Sequence, residues 1–428
     1  MWLSAILAAV VVPVASGKVV RRRGAAIAPI SLKKEPARGG ALMSENAAVT
    51  ALVKIIVGGG IMALPSGMAA GKGTGVVPAL VILVLHACLS AYTFDLVGRA
   101  VELTGARDFG DLWTKAFSKR SAWLIDLMVA GVASGALLTY GCFLGDLISQ
   151  LVPSVSRTAA IVALAIFPLG PLALAKDLSA LKHSSLLGIG AVLLSAFVVV
   201  KRALDGTYAD MSAIARAEAS TSRLSAGTCV LFNMFSTAYM AHTNAVRAYR
   251  ELADRSRSKA IAAKAFGVSA ILYGAVMLAG YLTFGSTAKG FVLANYDVAD
   301  PLALLARIAT MLSLVGSHPL IFTAARDAAF SLSNLDPDRY FTPVALGLLA
   351  TYTLLAILIP DAGFVVAING ASVGALLICV VPSMLYLNLG AGSKRERTFL
   401  KALVAFGLSI ACFGTIVTCL ENFTDLLS

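Results

Sequence analysis

The sequence predicts an all-α polytopic membrane protein, and three observations carry that expectation. Of the 428 residues, 58% are hydrophobic and only 14% charged, against roughly 45–50% and about 25% in soluble domains. Mean hydropathy is +0.84 over the whole chain, so the apolar residues are not confined to one soluble core. Apolar runs of the length needed to cross a bilayer, about 20 residues each, recur from residue 47 to residue 420. A soluble fold is excluded. The six cysteines lie inside these runs without a C-x-x-C spacing and read as small buried residues, not as metal or redox sites.

Eleven spans are expected in order. The first, 47–70, is apolar but holds three successive glycines, and the Gly71-Lys72-Gly73 turn leads into the second, 75–98. The third, 122–149, keeps Asp126 and Asp146 near its ends, where water reaches them. The fourth and fifth, 158–175 and 180–200, are parted only by Lys176, Asp177 and their neighbours. The sixth, 224–246, carries a polar run; the seventh to eleventh are 265–285, 301–325, 342–360, 362–389 and 400–420.

Charge sets the expected orientation. With a cytoplasmic N-terminus, 26 of the 35 Lys and Arg fall in cytoplasmic segments and 7 on the other side, while Lys54 and Arg307 lie inside spans. Positive charge near span ends marks the cytoplasmic face. The net charge of +12 therefore reads as topology, not as a nucleic-acid surface. Residues 1–45 stand apart from the membrane domain, 46–428. They begin with an apolar run too short to span, followed by a basic stretch over 17–43 whose only acid is Glu35. Two readings remain, a bipartite targeting leader or a disordered cytoplasmic tail.

Two spans carry residues that a continuous membrane helix disfavours. The first has Val57-Gly58-Gly59-Gly60-Ile61 at its middle, then Leu64-Pro65, and each glycine costs about 1 kcal/mol relative to Ala in a helix. A helix is broken at membrane depth only where it is buried in protein or lines a cavity. The N–H groups freed at the second half-helix suit an anion and the carbonyls freed at the first suit a cation, so one break can hold both ends of a zwitterion. Close packing through small residues is the alternative. The sixth span concentrates polar groups from Asn233 to Asn244. Spans one and six lead two sets of five, as inverted repeats require; without identity between the halves, the repeat rests on position.

The pattern Leu52-Val53-Lys54-(x)3-Gly58-Gly59-Gly60-Ile61-(x)2-Leu64-Pro65 resembles the first-helix motif of the amino acid/auxin permease family. Ala238-Tyr239-Met240-Ala241-His242-Thr243-Asn244 through Tyr249-Arg250-Glu251-Leu252 is similar to that family's sixth-helix motif, and Gly280–Gly285, Ala306–Ala309 and Ser317–Leu320 resemble later ones. The resemblance covers about 46–390. It implies a LeuT-like fold of ten core helices in two inverted repeats plus an eleventh, and secondary active transport of amino acids. Thr237 stands where the family has Phe, Ala241 replaces Cys, and Gly59 replaces Ser or Thr, which leaves substrate identity open.

The candidate substrate contacts are Val57, Gly58, Gly59 and Gly60 for a carboxylate, and Ser236, Thr237 and Ala238 for an amino group and side chain. Tyr140 on span three either reaches the carboxylate or packs in the core. Lys54, one turn before the glycines, costs about 2.5–3.5 kcal/mol at bilayer depth. It either faces the bundle with a carbonyl or acidic partner, its ammonium standing in for a coupling cation, or reaches the cytoplasm. Ser313 and Ser317 share a helix face and either ligate a cation, as the resemblance implies for Ser317, or bond back to carbonyls one turn earlier. His242 titrates near neutrality and is a proton-coupling candidate, whereas His86, His183 and His318 read as packed or interfacial. Arg307 is either solvated in an outer vestibule or part of a gating ion pair.

The expected function is secondary active transport of neutral amino acids by alternating access, coupled to protons, with sodium coupling or a non-transporting amino-acid sensor as alternatives. An enzyme is not expected, because the four histidines lie on four segments and neither H-E-x-x-H nor G-x-S-x-G occurs. No cofactor, metal or nucleic-acid partner is expected; the partners are an amino acid and the bilayer. The membrane is a plasma or vacuolar/lysosomal-type one, or an organelle envelope if 1–45 is a leader.

Overall fold

The computed structural model describes residues 42–71, 73–175, 184–210, 224–359 and 361–423. The leader-or-tail reading of 1–45, except its last four residues, and the Lys176–Asp177 boundary lie outside them.

The described chain is helical. Helix α1 (Glu45–Ile56) ends at Val57, because Gly58 turns extended with φ −122° and ψ −170°. A 3-10 turn over Gly59–Ala63 restarts the helix, and α2 (Leu64–Ala69) places Pro65 in its first turn, where a missing N–H does no harm. The two halves meet at 50°. There follow α3 (Val76–Thr104), the short amphipathic α4 (Phe109–Ala116), α5 (Trp123–Leu151), α6 (Arg157–Leu174) and α7 (Ser184–Leu204). The second half opens with α8 (Ala226–Ala238), interrupted before α9 (Ala245–Arg250), and continues through α10 (Ser258–Phe284), α11 (Pro301–Ser333), α12 (Pro337–Leu358), α13 (Ala362–Asn388) and α14 (Lys394–Phe423).

Among the described residues, eight helices are long and apolar enough to cross a membrane, or nine with the bent α1–α2 pair. The expected eleven is not reached by this measure. The sixth span is broken into helices of 13 and 6 residues, each too short alone, and the expected fifth begins outside the described residues.

Spans at corresponding positions of the two halves pack on one another. Elements five spans apart are neighbours: the α1–α2 hinge and α2 pack on α8, α3 packs on α10, and α5 packs on α11. In α13, 83% of the most apolar stretch is buried, against 11% in α12. A helix that is apolar all round and buried belongs at the centre, so α13 is a core element and α12 a peripheral one. Helix α8 crosses α13 so closely that any side chain at Gly370 would meet the Asn233 carbonyl, a contact only glycine permits.

Candidate functional site

The face where α1 begins is called proximal here and the opposite one distal. On the proximal face, Met43 pairs with the segment after α9: its N–H donates to the Glu251 carbonyl at 2.8 Å and its own carbonyl accepts from Ala253 N–H at 3.0 Å. Glu45 is held by Lys264 at 2.5 Å and Arg257 at 3.6 Å. The start of α1 is thus clasped to the second half of the broken sixth span and to α10.

At mid-depth the two breaks face one another. The Tyr273 hydroxyl on α10 is 2.7 Å from the carbonyl oxygen of Ile56, where α1 ends, and 2.7 Å from that of Ala238, where α8 ends. One proton serves both acceptors, so a single side chain ties the C-termini of two half-helices together. Beyond Ile56, the N–H groups of Gly58, Gly59 and Gly60 precede the first bond of the 3-10 turn, Ile61 N–H to Gly58 carbonyl at 3.3 Å, and have no acceptor among the described residues. A Cβ at Gly58 or Gly60 would meet nothing within 4 Å; at Gly59 it would lie 3.6 Å from Leu314 and 4.0 Å from Phe143. Open space and unpaired donors therefore coincide, which is what an anion needs. Phe143 also packs on Phe291, with ring centroids 4.3 Å apart, and both are buried. This aromatic pair stands between Gly59 and a distal cavity of about 660 Å³ lined by Asp146, Lys289, Phe291 and Asp361.

The remaining candidates are placed as follows. Val57 is buried at the end of α1. Tyr140 lies one turn from Phe143 on α5, half-buried, and its hydroxyl has no partner among the described residues. Ser236 bonds back to the Phe232 carbonyl at 3.2 Å. The Thr237 hydroxyl donates to the Val366 carbonyl of α13 at 2.6 Å. His242 is buried with Nε2 3.0 Å from the Thr93 hydroxyl. Ser313 and Ser317 both turn toward Gly188 of α7, where a Cβ would lie 3.4 and 3.9 Å from their hydroxyls. Neither bonds back to its own helix, so the back-bonded alternative is not the observed one.

Of the two readings of Lys54, the partnered one is not observed: it has no carbonyl or acidic partner among the described residues, is half-buried, and lines a proximal cavity of about 780 Å³ shared with Asp95 and Tyr249. One expectation needs correction. Arg307 is neither solvated nor ion-paired. It is fully buried, and its guanidinium donates to the carbonyls of Leu293 at 2.9 and 3.1 Å, Tyr296 at 2.6 Å and Asp297 at 3.2 Å. Those carbonyls belong to the turn just after Phe291, so Arg307 fixes the loop that presents the aromatic pair. Tyr273 carries no motif; the one sign of its role is a hydroxyl in an apolar helix, which when buried requires a partner.

A helical membrane bundle with two facing interruptions at mid-depth, the first of which leaves backbone N–H groups free, is the architecture of a membrane carrier. The chain belongs to the family described as "Transmembrane amino acid transporter protein", whose profile matches residues 43–420. It is 25% identical to "Vacuolar amino acid transporter 5" of Schizosaccharomyces pombe over 86% of this chain and 90% of that protein. It is 25% identical to "Amino acid transporter AVT6E" of Arabidopsis thaliana over 88% and 84%. With "Putative sodium-coupled neutral amino acid transporter 11" of Mus musculus it shares 24% identity over 86% and 83%. Among solved structures, MhsT in complex with L-phenylalanine matches with a TM-score of 0.50 and 14% identity, over 89% of this chain and all of that one. That likeness concerns the fold, and it supports the LeuT-like architecture.

Proposed function

We propose that the chain is a secondary active transporter that carries neutral amino acids by alternating access, coupled to protons. The observation that carries this reading is the Tyr273 bridge between the Ile56 and Ala238 carbonyls beside the unpaired N–H groups of Gly58–Gly60. A substrate carboxylate fits the glycine donors, and carbonyls at the two half-helix ends suit its ammonium. The proximal face is cytoplasmic, in keeping with its Lys and Arg excess. Alternating access then requires release of the Met43 clasp on one side and displacement of the Phe143–Phe291 pair on the other. Lys54 and His242 are the proton-coupling candidates.

Sodium coupling is the second reading. It is favoured by the Ser313 and Ser317 hydroxyls, which share one side of α11 and have no protein partner among the described residues, and by the printed name of the mouse relative. Counterflow of labelled neutral amino acids into liposomes tests the shared part of both readings. Exchange of label is expected; a protein that binds these amino acids without exchanging them would be a sensor, not a carrier.

A further inference from the structure

Behind the break in the sixth span, five buried polar atoms have no hydrogen-bond partner among the described residues: both ring nitrogens of His86, the hydroxyls of Ser90 and Tyr239, and Nδ1 of His242. The four residues are 1%, 0%, 0% and 0% exposed. Native proteins keep few buried polar atoms without a partner, so five together mark a group that packing does not account for. His86, Ser90 and Thr93 recur at helical spacing along one face of α3, while Tyr239 and His242 flank the break. The His86 imidazole is stacked on the Tyr239 ring, with centroids 5.6 Å apart and 21° between the planes, and Phe232 stands edge-on at 4.7 Å. Such π faces attract an imidazolium.

The cluster also connects two functional regions. At one end His242 meets Thr93 at 3.0 Å and Phe94 at 5.8 Å between ring centroids, and Phe94 lines the proximal cavity. At the other end Tyr239 packs at 4.9 Å on Tyr273, the residue that bridges the two breaks. A line of polar groups therefore runs from His242, which the Phe94 ring separates from the proximal cavity, to the substrate region.

We propose that His86 and His242, together with Ser90 and Tyr239, form an internal proton-holding site that serves coupling. One proton passes from a water of the proximal cavity to an imidazole nitrogen, breaking its bond to that oxygen and making the ring an imidazolium, and leaves from the same nitrogen or its ring partner by bonding to an acceptor water. The proposal rests on the proton-coupled reading. The other titratable groups on the helices packed around the site are Cys88, Tyr92, Asp95, Arg99 and Glu102 on α3, Cys229 on α8, Arg247, Tyr249 and Arg250 on α9, Lys259, Lys264, Tyr273 and Tyr281 on α10, and Cys379 and Tyr386 on α13. Of these, Asp95 accepts from the Ser258 hydroxyl at 2.6 Å, and Tyr249 donates to Glu102 at 3.1 Å.

The test uses the full chain in liposomes, with labelled alanine, leucine and glutamine as probes. His86→Phe keeps a ring in the aromatic cage and removes both nitrogens. The variant should still exchange label in counterflow, but should lose accumulation above equilibrium under an inward proton gradient without sodium. Accumulation equal to that of the unmutated protein would overturn the site while leaving the proton reading standing. If the unmutated protein itself accumulates label only with sodium, the proton reading falls and the site with it. Tyr239→Phe, which deletes one hydroxyl from the same cluster, decides the matter if His86→Phe does not fold. It should lower proton uptake per substrate, read with an internal pH dye, and unchanged uptake overturns the proposal.

Discussion

The hydroxyl of Tyr273 lies 2.7 Å from the carbonyl oxygen of Ile56, the last residue of α1. The same hydroxyl holds Ala238 at 2.7 Å, so the bend in the first span and the interruption in the sixth are one mechanical unit. Tyr273→Phe would leave both carbonyls buried without a donor. The expected result is a loss of roughly 1–3 kcal/mol of stability, seen as a lower melting temperature in detergent, together with slower counterflow. Unchanged melting and flux would show that the bridge holds nothing together.

Gly58→Val and Gly60→Val should each abolish transport while the protein still folds. Nothing lies within 4 Å of a Cβ at either position, so the added side chain occupies free space without a clash. That space is where a substrate carboxylate must approach the N–H groups. Membrane-inserted variants with normal flux would place the substrate elsewhere.

Thr237→Phe should cost folding, not substrate range. The Thr237 hydroxyl bonds to α13 at Val366, and a Cβ at Gly370 would lie 2.8 Å from it, so a phenyl ring there collides with a core helix. Overpacking of this kind costs typically about 1–3 kcal/mol. Thr237→Ser should retain transport. A folded Thr237→Phe protein with a narrowed competition profile would instead show that the side chain reaches the substrate.

The first break was legible because three glycines and a following proline leave a helix little choice. The sixth span announced polar content, but its interruption between Ala238 and His242 depends on contacts with α10 and α13 that no local pattern encodes. Arg307 shows the limit clearly. Its charge suggested water or a carboxylate, whereas three backbone carbonyls of a turn satisfy it. His86 read as packed because a lone histidine in an apolar span carries no hint of the Tyr239 and His242 side chains brought beside it from far along the chain. The pairing of spans five apart, α3 with α10 and α5 with α11, leaves no trace as identity between the halves.

On the distal face, the Arg202 guanidinium at the end of α7 makes two bonds to Asp300, at 2.7 and 2.8 Å, at the start of α11. Burial pushes the Asp300 carboxyl up, but Arg202, the Ala303 N–H and the Tyr208 hydroxyl outweigh it and hold it below the usual value. The stability this contributes is fully present above the unfolded carboxyl's value, about 4, and is lost as pH falls through the lower folded one. Asp300→Asn should therefore be less stable at neutral pH by roughly 1.5–3 kcal/mol. Its deficit in melting temperature should shrink below about pH 4; a deficit independent of pH would contradict this.

Uptake of labelled neutral amino acids into sodium-free liposomes under an imposed pH gradient, comparing the unmutated chain with Gly60→Val, probes proton coupling and the glycine site together. The unmutated protein should accumulate label, with accumulation collapsing when the gradient is dissipated, and the variant should accumulate none. No uptake until sodium is restored would contradict proton coupling, and accumulation by the Gly60→Val protein would contradict the glycine break as the substrate site.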